Sequence, residues 1–134
     1  MKAISLWQPW ASAMAMGLKK NETRHWSTSY RGPLLIHAAK KKVKIPYELL
    51  KTLTRNGLNP YEVDYGVLVC KVDLIDCQQI GDDNRPPHDS LEYQLGNYDH
   101  GRWMWITDNL QVFDPIAFRG SQGFFNIPDN IIPN

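Results

Sequence analysis

The sequence predicts a mainly β domain with short helices, an α+β chain whose strands close as a small barrel. Two observations carry this. Six segments along the 134 residues read as strands, most of them apolar, and turn formers separate several of them. Only two stretches, near Pro9 and Pro46, carry the spacing of an amphipathic helix. The length argues for one domain over residues 1–134, enough chain to remove roughly two-thirds of its unfolded surface from water.

In chain order, KAISLW alternates as a strand, and Pro9 then occupies the first turn of a helix, where its missing N–H is tolerated. Trp7, Trp10, Ala11, Met14 and Leu18 recur at helical spacing, and Gly17 terminates the helix. NETRHW reads as a short strand, and RGPLLIHAAK reads as a core strand after a turn at Arg31–Gly32. IPYELLKTLTRNG is a second helix, started by Pro46 and stopped by Asn56–Gly57, with Leu49, Leu50 and Leu53 on one side. GVLVCKVDLIDCQQI is the longest strand signal, with Leu68, Cys70, Val72 and Leu74 expected on one apolar face. Residues 81–101 form a long polar loop with one helical turn near Leu91. RWMWITDNLQVFD returns to strand, and GSQGFFNIP closes the fold after a Gly-rich turn.

With 43% hydrophobic and 22% charged residues, disorder is excluded. The start MKAISLWQPW is broken by Gln8 and Pro9 and does not read as a signal peptide, and no apolar run reaches a membrane span. A cytoplasmic location is expected. Cys70 and Cys77 lie seven residues apart on one extended segment, about 23 Å, too far to pair. Buried, reduced thiols are expected, and no Cys/His spacing suggests a metal or cofactor, the acidic-loop residues His88, Asp89 and His100 included. A net charge of +1 argues against a broad basic surface, but Lys19, Lys20, Arg24, His25 and Arg31 cluster early and Lys40, Lys41, Lys42 and Lys44 follow. A local positive face on a near-neutral chain suits a small anionic site better than duplex binding.

The chemistry concentrates in GLKKNETRHW, residues 17–26. On an extended strand Glu22, Arg24 and Trp26 share one face, and Thr23 and His25 take the other. Lys19 stands at the entrance. A carboxylate, a guanidinium and an amine so close are costly to bury unless they pair or bind something. One reading is a ligand pocket in which Lys19 and Arg24 hold a phosphate or carbonyl oxygen, Glu22 accepts from a base amine, and a tryptophan stacks on a base. The plainer reading is a surface ion pair.

The run SLWQPWASAMAMGLKKNETRHW, followed by YRGPLLIHAAK, resembles the ASCH domain family. Its G-x-K-x-x-E-x-R motif stands here as Gly17, Lys19, Glu22 and Arg24; GRWMWIT and FRGSQGFFN also resemble family strands. The resemblance implies a PUA-like small β-barrel flanked by two or three helices, and a domain that binds RNA, single-stranded nucleic acid or a nucleotide. Some family members are described as transcription coactivator modules. Others are described as ribonucleases, or as acetylcytidine amidohydrolases with a Lys and a Thr nucleophile three positions on. Without a gap, Glu22 occupies that Thr position, and Thr23 falls one residue out of register on the opposite face. A hydrolase here would instead use Glu22 to activate water and Lys19 to stabilise an oxyanion. A third reading is a protein-interaction module that uses the 81–101 loop.

Further candidates for the pocket are Trp10, a stacking platform like Trp26, and His37, which shares a strand face with Leu35 and Ala39. Arg119 and Gln122 flank glycines whose backbone amides could line it. The stretch 39–44 reads as a solvated basic segment or as a track for a phosphate backbone.

Overall fold

In the computed structural model, which describes residues 1–133, six strands form one mixed sheet. They are β1 (Lys2–Leu6), β2 (Asn21–Arg24), β3 (Gly32–Ala38), β4 (Val67–Gln79), β5 (Trp103–Ala117) and β6 (Phe125–Asn126), in spatial order β2-β5-β4-β3-β1-β6. β1 and β3 run parallel; every other neighbour is antiparallel. Three short helices accompany them: α1 (Trp10–Ala15), α2 (Tyr47–Arg55) and α3 (Leu91–Gln94). This is the expected α+β, mainly β architecture.

The alternation of β1 and β3 buries both faces of the sheet. Ile4 and Leu6 of β1 with Leu34, Ile36 and Ala38 of β3 face α1, where they meet Ala11 and Met14. Ala3, Leu35, Leu68 and Ile127 form a second cluster with Phe113, Ile116 and Phe125. A third, Ala13, Leu53, Leu58 and Leu95, ties α1 to α2 and to the residue after α3. α1 begins where Gln8, fully buried, turns back: its Oε1 accepts from Ser12 N–H at 2.9 Å, and its Nε2 donates to Asp64 O at 2.9 Å. One of the orphan N–H groups of the first helical turn is thereby satisfied.

The sheet curls until its edges meet. β2 and β1 stand four positions apart in the strand order, yet Arg24 Nη2 donates to Ser5 O at 2.8 Å. Trp26, just beyond β2, packs edge-on against Trp105 of β5 and Phe124 before β6, with centroids 4.7 and 5.8 Å away. Trp105 Nε1 donates to Trp26 O at 3.2 Å. This aromatic plug gives the sheet its barrel-like closure.

Three expectations are corrected. A bulge in β4 breaks its alternation: Cys70, Val72 and Leu74 do share a face, but Leu68 pairs with His37 and packs in the second cluster. Cys77 is half-buried, whereas Cys70 is buried and its thiol is pushed up to about 12 by burial, which keeps it unreactive. Trp7 precedes α1 instead of joining its apolar stripe, and is 51% exposed. The helical turn near Leu91 is α3, capped by Ser90, whose Oγ accepts from Tyr93 N–H.

Candidate functional site

The segment expected to carry chemistry is built from a helix stop and a strand edge. α1 ends in a Schellman turn: Leu18 N–H donates to Ala13 O at 2.9 Å and Gly17 N–H to Met14 O at 3.0 Å. Gly17 sits at φ +74°, a backbone conformation that a side chain would strain. The turn swings Lys19 inward, where it is 3% exposed. β2 then starts under the control of Glu92, whose carboxylate accepts from Lys20 N–H at 2.6 Å and Asn21 N–H at 3.1 Å.

Glu22 and Arg24 follow on one side of β2. Glu22 joins two cations: Oε1 accepts from Lys19 Nζ at 3.2 Å and Oε2 from Arg24 Nε at 3.1 Å. The Lys19, Glu22 and Arg24 side chains are 2%, 13% and 20% exposed, so the network is buried at Lys19 and partly open at Arg24. Losing the carboxylate would leave Lys19 uncompensated, a change that costs about 3–5 kcal/mol in buried pairs. One carboxylate against two cations leaves the trio with a surplus positive charge. The motif thus has a Gly that ends a helix, a Lys buried beside its partner, a Glu that bridges, and an Arg that also latches β2 to β1.

These groups open onto a cleft of about 1740 Å³ at the carboxyl ends of the parallel strands β1 and β3. Lys19, Arg24, Lys40, Arg102 and Arg119 line it, against the single carboxylate of Glu22. Its far wall is the 118–123 loop, fixed by His37. Nε2 of His37 lies 2.7 Å from Phe118 O, which can only accept, so Nε2 carries the proton and Nδ1 accepts from Ser5 Oγ at 2.8 Å. Burial holds the imidazole below its ordinary pKa, opposed by the Phe118 carbonyl. Gly120 lies over this pair so closely that a Cβ there would meet His37 Cε1 at 2.5 Å and Ser5 Oγ at 2.7 Å.

Lys19, Glu22, Arg24, Trp10, His37, Arg119 and Gln122 are brought together around the cleft. Trp26 is not: it lies past the end of β2, in the aromatic plug, and does not line the cleft. Thr23 borders the cleft, but its Oγ1 accepts from Asn97 N–H at 3.2 Å. Sequence reasoning missed Trp7 and Ser5, and it missed the wall formed by residues 94–97 at the end of the long loop. It also missed Glu92, which stands 72 positions from Lys20 and carries no local signal. Within that loop His100 Nε2 lies 2.7 Å from Asp82 Oδ1, and His88 packs on Tyr93. Among the described residues, no helix is long and apolar enough to cross a membrane.

Comparison with known proteins places this architecture. The chain is similar to Activating signal cointegrator 1 of Homo sapiens, 39% identical over 82 aligned positions that take in 55% of this chain and 14% of that protein. The Mus musculus protein of the same name is 38% identical over 82 positions, with the same coverage. The chain therefore corresponds to a small part of these relatives. The family model for the ASCH domain matches residues 4–115, which include the whole motif, all of β2, β3 and β4, and most of β1 and β5. The chain belongs to the ASCH domain family.

Proposed function

We propose that this domain binds RNA, holding a single-stranded or modified nucleotide in the cleft around Lys19, Glu22 and Arg24. The observation that carries the reading is the charge of the cleft: five Lys and Arg side chains against one carboxylate, in a chain whose net charge is only +1. Such focusing of positive charge in a concave site attracts an anionic ligand. Arg119 is exposed and free to meet a phosphate, whereas Arg102 is already tied to Thr23 O and Asn97 O. Trp10 offers an aromatic surface for a base, and Glu22 an acceptor for an exocyclic amine. Membership of the ASCH family supports the same reading, since the resemblance of the motif implies nucleic-acid binding.

The hydrolase reading, with Glu22 as base and Lys19 as oxyanion stabiliser, has less support. Lys19 and Arg24 hold Glu22 as a charged acceptor, one contact on each oxygen, and a proton taken from water would cancel the charge that both cations face, which weakens it as a general base. The test is fluorescence anisotropy with labelled single-stranded RNA, followed by a turnover assay on the same RNA. Binding that Lys19→Met and Arg119→Ala each weaken at least fivefold, without turnover, supports the proposal. Binding unchanged in both variants contradicts it. Turnover abolished by Glu22→Gln with binding intact would replace it by the hydrolase.

A further inference from the structure

We infer that the cleft extends into a second subsite, made by Trp7 and the lysines after β3, which takes the neighbouring nucleotide of a single strand. The inference rests on the RNA-binding reading and names the form of ligand that fits, an oligonucleotide in preference to a free nucleotide. Three features carry it. Trp7 follows the buried Leu6 directly, yet it is 51% exposed and lines the cleft. An indole on a cleft wall, half in water, is a platform that a base can reach.

The second feature is charge. Lys40, Lys41, Lys42 and Lys44 occupy a segment without helix or strand, and none makes a salt bridge among the described residues. Lys40 lines the cleft with its stem laid over Gly66, where a Cβ would meet Lys40 Cγ at 3.0 Å. Lys41 Nζ sits 5.4 Å from the Trp7 ring centroid, and Lys42 Nζ 5.2 Å from that of Tyr65. Ammonium groups are thus parked on the exposed ring of Trp7 and the half-buried ring of Tyr65, with no carboxylate among the described residues to hold them. At an exposed site such a contact is weaker than base stacking. A base can take the ring, and the displaced ammonium then lies beside the phosphate of that same nucleotide.

The third feature is size. A cleft of about 1740 Å³ exceeds the roughly 300–1,000 Å³ of sites that enclose one small ligand. The interior of a duplex does not fit this arrangement, because its bases are stacked on both faces and offer none to Trp7. A backbone running from the Lys19–Arg24 end past Lys40 brings one base to the cleft and the next to Trp7.

The test uses the whole chain, uridine monophosphate by calorimetry, and fluorescein-labelled U4, U8 and an eight-base-pair RNA duplex by anisotropy. We expect U4 to bind at least tenfold more tightly than the mononucleotide. Trp7→Ala should weaken U4 and U8 about fivefold to tenfold and change mononucleotide binding less than twofold, while Trp7→Phe restores most of the loss. Lys41→Ala with Lys42→Ala should reduce the salt slope of U8 binding by about 1.4, as two phosphate contacts require. If the mononucleotide binds but U8 binds no better, or if Trp7→Ala leaves U8 binding intact, the second subsite is overturned and the cleft reading stands. Duplex binding as tight as U8 also overturns it. If neither mononucleotide nor U8 binds, both readings fall.

Discussion

Glu22 is the residue on which the site turns, because its carboxylate is the counter-charge for a lysine withdrawn from water. Glu22→Gln keeps the shape but leaves Lys19 buried without compensation, and should lower unfolding free energy by about 3–5 kcal/mol in urea denaturation. Lys19→Met with Glu22→Gln removes the charge along with its partner. That double variant should recover most of the lost stability while still failing to bind ligand; additive destabilisation would show that the pair is not coupled. His37 gives a pH dependence with a definite sign. Its pKa is depressed in the folded state by burial, so the unfolded chain binds more protons below about pH 6.5. Stability should therefore fall as pH drops below that value, and His37→Gln should remove this contribution; an unchanged pH profile in that variant would contradict the assignment. At this scale the sequence was informative where residues are close in the chain. Lys19, Glu22 and Arg24 lie within six positions: strand alternation paired Glu22 with Arg24, and the turn after the helix set Lys19 beside them. Trp26 misled because alternation was carried two residues past the end of β2.

At the scale of elements, the cleft depends on two segments that touch β2 and β3 from far along the chain. One is α3, whose Glu92 accepts two backbone N–H groups of the motif turn. Glu92→Ala strips both acceptors from the turn, at a cost of about 1–3 kcal/mol. It should weaken RNA binding without Glu92 itself touching the ligand, and Glu92→Gln, which keeps one acceptor oxygen, should recover part of it. The other is the 118–123 loop over Ser5 and His37. Gly120→Ala forces a Cβ into the His37 ring and should lift this wall, costing about 1–3 kcal/mol by overpacking. A thermal melt unchanged in Gly120→Ala would show that the loop does not rest on His37. Neither contact was legible in the sequence, because nothing local marks which distant residue will serve a strand start or cover a histidine. The elements themselves were legible: α1 and α2 by their prolines and glycines, β3 and β4 by their apolar runs. The β4 bulge was not, since Leu68, Cys70, Val72 and Leu74 alternate cleanly in the sequence whether or not one residue is inserted into the pairing.

For the whole molecule, one arginine ties the closure of the sheet to the cleft. Arg24 binds Glu22, crosses from the β2 edge to Ser5 O on β1, and faces the cleft. The barrel-like curl therefore brings the motif to the ends of β1 and β3, which explains why a short motif accompanies a complete fold. RNA binding should weaken with salt, with a slope of about −2 if three phosphates are neutralised. The most direct test is a heteronuclear NMR titration of the labelled protein with a short single-stranded RNA. The account predicts that amide shifts will concentrate at residues 5–7, 19–25, 37–41 and 118–123, the segments that meet at the cleft. Shifts confined to another surface, or none at saturating RNA, would contradict it.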